Sequence, residues 1–563
     1  MKLVECVPNF SEGRDQSVLD AIARAIEAVE GVRLLDRDPG VATHRTVFTF
    51  VGDQQHIVDA AFEAIRVAAE HIDMRHHQGE HARMGATDVC PFVPLQGSTM
   101  QECVELARRL GKRVGDELGI PVYLYEEAAS RPERRNLATI RAGEYEGLAQ
   151  KLQQPEWAPD FGPARFVPRS GATAIGAREF LVAYNINLNT RDKRLANDVA
   201  LELREAGRNK RGPDGKFVRD AQGEPIKRPG MFKHVKAVGW YIDEYQRAQI
   251  SINFTNLNVS PVHEVFDAAC DEAAKRGLRV TGSELIGLVP LQTLVQAGRF
   301  FLSKQGRSTG VPEAELIHIA VRSLGLDELT PFDPHEKIIE YRVRETAKQR
   351  LRRLSVEDFV LELGSESPAP GGGSVAALCG ALSAALVSMV ANLTHNPLRH
   401  QLPLEELDRL ACRAQEHLAA LLDAVDADTA AFDALIEAMR LPRDTEEQSR
   451  ERDQAIRQAT RHATEVPLGV VQAAAAVAEL TQASREIGNP ATLSDSGVAA
   501  ATAVTAATGA YYNVLINLAG LGDEDAGYVK RIRQEAMATW QRAVDAASRT
   551  QAAVQERLDS KLA

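Results

Sequence analysis

The sequence predicts a multidomain chain: an α/β half made of two ferredoxin-like α+β subdomains, followed by an all-α helical bundle. Three observations predict it. Strand-like and helix-like segments alternate up to about residue 340 in two rounds of β-α-β-β-α-β type. Beyond Leu351 strands are hard to find, alanine is abundant and apolar residues recur at helical spacing. Only six of the 30 aromatic residues (Phe359, Phe432, Tyr511, Tyr512, Tyr528 and Trp540) follow residue 350, so the composition itself changes there.

The elements can be justified in order. Val32–Leu35 and Thr46–Val51 read as short strands, and His56–His71 and Met100–Leu118 carry apolar residues at helical spacing. Pro121–Tyr125 closes the first round as a strand, before the Pro/Gly-rich stretch Trp157–Gly171. In the second round Phe180–Leu188, Ala237–Tyr241 and Gln249–Asn253 are strand-like, and Lys193–Gly207 and Val262–Arg276 helical, with a further helix after Val289–Pro290. Arg342–Arg353 holds six Arg or Lys without an apolar pattern and reads as a linker. The expected domains are 1–180 and 181–343, a linker at 344–352, and a helical domain at 353–563. Val375–Leu393 has no charged residue, yet Ser383, Ser388 and Asn392 interrupt it and no basic flank marks one side. Its small row Ala376, Gly380, Ala384 and Ser388, beside a large row Leu378, Leu382 and Leu386, suits a buried helix rather than a membrane span.

With 563 residues, 44% apolar and 26% charged, the chain is globular in composition and long enough for large cores. Six scattered cysteines without a C-x-x-C pair argue against a disulfide framework and for a reducing compartment; the cytoplasm is the expected location. A net charge of −12 disfavours general nucleic-acid binding.

Several motifs carry chemistry. Six of the fourteen histidines precede residue 82, and Arg75–Gly85 gathers imidazole, guanidinium and carboxylate groups in one Gly-containing loop suited to proton transfer. His77–Glu80–His81 fits H-x-x-E-H, the inverted zinc-protease pattern, but Gly79 and Gly85 disfavour the helix that zinc binding requires. Asp36 and Asp38 are expected past a strand end, before a Pro39–Gly40 turn, where a carboxylate can orient an imidazole or bind an amine. Cys90 reads as a buried structural thiol. Arg204–Lys236 has ten basic against four acidic residues, a solvated insertion or an attractor of polyanions. In Pro368–Ser374 the prolines stop a helix, Gly371, Gly372 and Gly373 permit close approach, and Ser374 is expected to cap the next helix. The free N–H groups of that helix start suit an anion. Asp423, Asp426 and Asp428 crowd a helical segment where aspartate is a poor choice, and Asp495 reads as an N-cap.

On these residues the chain resembles the formiminotransferase-cyclodeaminase family almost end to end. Val4–Gly13, Gly79–Gly85, Val122–Tyr125, Trp157–Pro163, Phe180–Leu188 and Gly282–Pro290 resemble glutamate formiminotransferases, a likeness that spans Met1–Val343. Pro368–Val375, Val425–Phe432 and Tyr511–Asn517 resemble formiminotetrahydrofolate cyclodeaminases, from Leu351 onward. The resemblance implies transfer of a formimino group from N-formimino-L-glutamate to N5 of tetrahydrofolate, then ring closure to 5,10-methenyltetrahydrofolate with release of ammonia, in histidine breakdown. It implies catalytic roles for His81 and Asp38 in the first reaction and for Asp428 as the acid of the second. A folate-binding stretch falls on Gly162, Pro163, Ala164, Arg165, Phe166, Val167, Pro168, Arg169, Ser170 and Gly171, where Ala164, Arg165 and Arg169 depart from animal forms. Arg45, Glu284, Gly371, Gly372, Gly373 and Ser374 are candidate substrate contacts, Glu284 standing where animal forms have glutamine.

The resemblance also implies tetrahydrofolate, in polyglutamylated form, as the one-carbon acceptor, and no metal; from charge and from the residues of Val375–Leu393, neither nucleic acid nor a membrane is expected as partner. A homo-oligomer is expected, dimer-based or octameric, since family forms are ring-like octamers. The basic insertion 209–232, longer than in animal forms, is expected to hold the polyglutamate tail. Two alternatives stand beside this reading: a helical domain of methenyltetrahydrofolate cyclohydrolase type, and a folate-binding scaffold with one inactive domain.

Overall fold

A computed structural model describes residues 2–41, 43–79, 82–95, 97–220, 222–344, 351–367, 369–396 and 403–562. They form two compact units, one of residues 1–294 and 321–346, the other of residues 295–320 and 347–563. His81, Glu80 and Pro368, and most of the basic linker, lie outside the described residues.

The first unit opens with β1 (Val4–Cys6), β2 (Asn9–Phe10), α1 (Gln16–Glu27), β3 (Val32–Gly40), β4 (Arg45–Gly52), α2 (Ile57–His71) and β5 (Thr87–Pro94). β1 and β2 both lie between β4 and β5, and β3 pairs beyond β4, all antiparallel. This is the ferredoxin-like order. After α3 (Met100–Glu117), β6 (Val122–Glu126), α4 (Leu137–Arg141) and α5 (Glu144–Lys151), β7 (Thr173–Ala177) joins β5 in parallel, with β6 outside it. Strand alternation explains the layering: Val4, Cys6, Phe48, Phe50, Cys90 and Phe92 enter the core beneath α1 and α2. The intervening residues face the other way.

The second round repeats the pattern. It comprises β8 (Val182–Leu188), α6 (Lys193–Leu203), the small pair β9 (Arg208–Asn209) and β10 (Lys227–Arg228), β11 (Val235–Ile242), β12 (Arg247–Phe254), α7 (Val262–Ala274) and β13 (Val280–Ile286). Its sheet order is β11-β12-β8-β13, antiparallel throughout. Tyr184, Ile186 and Leu188 face one side of the sheet, and Asn185 and Asn187, also buried, face the other, where Asn187 donates to Glu328 at 2.6 Å and accepts from Gln249 at 2.8 Å.

The remaining elements are helical: α8 (Leu291–Lys304), α9 (Glu313–Leu324), α10 (Pro334–Lys337), α11 (Ile339–Arg344), α12 (Val356–Leu363), α13 (Gly372–Thr394), α14 (Leu404–Met439), α15 (Glu446–Ile487), α16 (Leu493–Leu518) and α17 (Ala526–Leu562). Residues 295–320 pack with the helical unit although they precede the basic linker in sequence. There Thr309 N–H donates to the Asp408 carboxylate at 2.6 Å, and Gly310 is so close to α14 that a Cβ would overlap Ala411. The small row of α13 is the buried one, Ala376, Gly380, Ala384 and Ser388, whereas Leu382 is exposed. Gly380 lies where a Cβ would come within 3.0 Å of Leu421, so the missing side chains let α14 approach. α13 and α15 are long and apolar enough to cross a membrane, and 61% of each apolar window is buried inside the protein.

Three expectations need correction. β3 runs on to Gly40, so Asp36, Asp38 and Pro39 are strand residues, not a turn beyond one; a register shift after Leu34 and an edge position that spares Pro39 a ladder bond allow it. Gly371 is the N-cap of α13, and Ser374, a turn inside, donates instead to the Val425 carbonyl and the Asp428 carboxylate. Asp495 lies in the first turn of α16, whose N-cap is Thr492.

Candidate active sites

The outward residues of the first sheet line a cavity of about 890 Å³. Glu5, Val7 and Asn9 come from the first strand path, Asp36 and Asp38 from β3, Arg45, Val47 and Thr49 from β4. Ala183, Lys236, Asn253 and Ile286 of the second round line it too, so it lies between the open faces of two ferredoxin-like sheets of one unit. Both signs of charge are present. Arg45 and Arg141 both pair with the fully buried Asp88, which also accepts from the Met84 N–H at 3.0 Å. The two guanidinium groups hold the Asp88 carboxyl below its ordinary pKa against the opposing effect of burial. Asp38 is shifted the other way, raised by burial and by the neighbouring Asp36, with Lys337 opposing. A raised carboxyl in a cavity is suited to exchanging a proton with a bound group.

One cavity wall adjoins the histidine-rich loop. His81 lies outside the described residues, but its neighbour Ala82 and the facing Thr43 line the cavity. Both ends of the loop are pinned by glycines that no other residue could replace without a clash. A Cβ on Gly79 would overlap the Thr43 carbonyl, and one on Gly85 the carbonyls of Ser170 and Ala172. His77 stacks on His44 at 4.4 Å between ring centroids and 12° between planes. Its Nε2 donates to the His44 carbonyl at 2.8 Å and its Nδ1 accepts from Arg83 Nε at 3.2 Å, so the ring is held neutral, with its pKa lowered chiefly by burial. Neither nitrogen is left for a metal, and His77–Gly79 is not helical, which removes the H-x-x-E-H reading. Among the described residues no three His, Cys, Asp or Glu side chains cluster as a metal site.

The segment 162–171 does not line this cavity. Gly162 and Gly171 have φ of +80° and +66° and press against the Ile120 and Met84 carbonyls. Tyr145 OH donates to the Pro168 carbonyl at 2.5 Å, and the Ser170 carbonyl accepts from Ala86 N–H at 2.8 Å. The stretch thus braces the far side of the histidine loop. Glu284 on β13 accepts from Asn185 Nδ2 at 3.3 Å and Tyr245 OH at 3.2 Å and is likewise not a lining residue. Arg45 is one. Glu5, Arg141 and Arg178 line the cavity although no motif singles them out, and a signal for the first is present in the sequence: a charged residue alternating with apolar ones in Val4-Glu5-Cys6. Cys90 is fully buried, 3.5 Å from the sulfur of Cys6, as a structural thiol should be.

The helical unit holds a second acid. Asp423 and Asp426 of α14 turn to Arg352, whereas Asp428 faces the start of α13. Its carboxylate accepts from Ser374 Oγ at 3.1 Å, and a Cβ on Gly373 would overlap it. Burial pushes its pKa up; the Ser374 hydroxyl and N–H pull it back only in part. Among the described residues no atom would meet a Cβ at Gly371, and beside Gly372 only Asn513 comes within 4 Å, so Gly371–Gly373, Ser374 and Asp428 form one cluster with room at its mouth.

An α/β unit enclosing a cavity of mixed charge and a helical unit with a raised carboxyl at a helix start give the chain two candidate sites of the kind an enzyme acting on small polar molecules uses. Three family models tile it: the formiminotransferase domain N-terminal subdomain matches residues 3–178, the formiminotransferase domain 183–344, and the formiminotransferase-cyclodeaminase model 355–538. The chain belongs to the formimidoyltransferase-cyclodeaminase family. It is 45% identical over 565 residues to a formimidoyltransferase-cyclodeaminase of Sus scrofa, covering 100% of both chains. A glutamate formimidoyltransferase of Streptococcus pyogenes serotype M1 is 42% identical over 301 residues, 54% of this chain and 93% of that one. A methenyltetrahydrofolate cyclohydrolase of Methylorubrum extorquens is 36% identical over 169 residues, 30% of this chain and 81% of that one.

Proposed function

We propose that the chain catalyses two consecutive folate reactions. The first transfers the formimino group of N-formimino-L-glutamate to N5 of tetrahydrofolate; the second closes the ring to 5,10-methenyltetrahydrofolate and expels ammonia. The observation that carries the reading is a full-length likeness, at 45% identity, to a relative named for both activities. The α/β cavity takes the first reaction. Attack of N5 on the amidine carbon gives a tetrahedral adduct, and collapse needs a proton on the departing glutamate nitrogen. His81 is assigned that proton, Asp38 the orientation of the imidazole, and Arg45 contact with the substrate. Holding both substrates in one cavity supplies much of the remaining advantage. In the second reaction N10 attacks the formimino carbon and Asp428, kept toward its protonated form by burial, protonates the leaving nitrogen. Gly371, Gly372, Gly373 and Ser374 present the α13 start to the same substrate. A coupled assay with formiminoglutamate and tetrahydrofolate tests the whole reading, with glutamate, ammonia and methenyl product followed separately.

The likeness to a methenyltetrahydrofolate cyclohydrolase favours a second reading of the helical unit. Hydrolysis of the methenyl product without ammonia release from 5-formiminotetrahydrofolate would select it.

The folate is proposed to be polyglutamylated and the protein to work in the cytoplasm as a homo-oligomer, dimer-based or octameric. The basic insertion supports the first of these in a narrower form than its composition suggests. Arg208 and Arg228 are committed to Glu202, and Arg208 also to Asp198. Lys210, Arg211 and Lys227 make no carboxylate ion pair among the described residues, and Arg211 lies over the Phe217 ring. Neutralising these three should raise KM for polyglutamyl but not for monoglutamyl tetrahydrofolate; an equal change in both would remove the insertion from substrate binding.

A further inference from the structure

One side chain in the α/β cavity is unexplained by the fold alone. Glu5 on β1 is 2% exposed, yet lines the cavity, and its carboxyl makes no hydrogen bond or ion pair among the described residues. The other two residues of β1, Val4 and Cys6, enter the apolar core. The charged groups that act on Glu5 are Arg178, just past β7, which favours its ionised form, and Glu340 of α11, which opposes it. Asp36 and Tyr125 line the same cavity. Burial outweighs Arg178 and pushes the Glu5 pKa up to about 8. A buried carboxyl left without a partner is costly, and a fold has no structural use for one where valine would pack. Such a group is explained when a ligand completes it.

We propose that Glu5 is a substrate-contact residue of this cavity, its carboxyl ionised in the complex and its two oxygens receiving the adjacent N–H pair of an amidine-type edge. Two parallel N–H···O bonds to one carboxylate are the geometry in which a carboxylate binds most strongly and most selectively. The assignment deepens the proposed function and rests on its substrates, two of which carry such an edge: the amidine of the formimino donor and the 2-amino-4-oxo edge of the pterin. Arg178 and Lys236 complement it. Both line the cavity and neither has a carboxylate ion pair among the described residues, Arg178 donating only to the Glu179 carbonyl at 3.0 Å. A ligand with carboxylates at one end and an N–H pair at the other would therefore find both halves of its match.

The test is direct binding of each substrate to the full chain and its Glu5→Gln variant. Glutamine keeps the shape but replaces one acceptor oxygen by a donor. The expected result is at least a tenfold loss of affinity for one substrate, with ammonia release from supplied 5-formiminotetrahydrofolate unchanged. Loss for formiminoglutamate alone assigns the donor's amidine; loss for tetrahydrofolate alone assigns the pterin edge; either supports the proposal. Glu5→Asp draws the acid back by one methylene without changing charge and should weaken the same ligand by a smaller factor. Unchanged affinities for both, or equal weakening of both by either variant, would overturn the assignment. A wild-type protein that transfers no formimino group would instead overturn the function, and that is read before any variant is made.

Discussion

At the residue scale, the side chains that matter most are those the fold would be more stable without. Glu5 is the clearest. Its folded pKa of about 8 lies above the ordinary 4.5, so no penalty exists below pH 4.5, where the group is neutral in both states. The penalty accrues as pH rises and is complete above about pH 8, at about 1.4 kcal/mol for each unit of separation. Glu5→Gln should therefore melt higher than wild type at pH 8, by a margin that shrinks toward zero at pH 4.5. Thermal unfolding at the two pH values measures this, and a margin independent of pH would contradict the burial argument. Asp88 is the opposite case: two guanidinium groups satisfy it, and its lowered pKa makes it a stabilising anchor at neutral pH. The sequence alone does not distinguish these two acids, because pairing is a tertiary fact. Nothing local says that Arg45 and Arg141 converge on Asp88.

At the scale of elements, periodicity was readable where it was uninterrupted. α2, α3 and β12 fall within three residues of where apolar spacing places them. β5 was missed because Asp88, Pro91 and Pro94 break its pattern, although it is central in the sheet, between the β1/β2 path and β7. β3 was cut short for a similar reason, Asp36, Asp38 and Pro39 reading as a turn although they are paired with β4. In both strands the pattern-breaking aspartates belong to the candidate site: Asp36 and Asp38 line the cavity, and Asp88 anchors two of its arginines. The start of α13 was legible as an unusual Gly-Gly-Gly-Ser, but its purpose was not, since the reason for Gly373 is the Asp428 carboxylate from a different helix. Gly373→Ala places a methyl in that carboxylate's position. The helix gains propensity, about 1 kcal/mol in isolation, yet the second reaction should fall by at least tenfold as Asp428 is displaced, with the first unaffected. Normal ammonia release by Gly373→Ala would show that the contact has slack.

At the scale of the whole molecule, the drop in aromatic content after residue 350 coincides with a change from sheets to helices and from one candidate chemistry to another. Each unit has its own core and its own raised carboxyl, Asp38 in the cavity of one and Asp428 at the α13 start of the other. That independence predicts complementation. A protein carrying Asp428→Asn should release glutamate from formiminoglutamate but no ammonia, and 5-formiminotetrahydrofolate should accumulate in equal amount. A protein carrying His81→Ala should release ammonia only when 5-formiminotetrahydrofolate is supplied. Mixed together, the two should restore methenyl product, because the intermediate that one releases is the substrate the other consumes. The restored flux should rise with total protein concentration, whereas wild type shows no such dependence per active site if the intermediate stays bound or is handed on directly. If the Asp428→Asn protein still released ammonia, the acid of the second reaction would lie elsewhere, and the cluster at the α13 start would be an architectural contact alone.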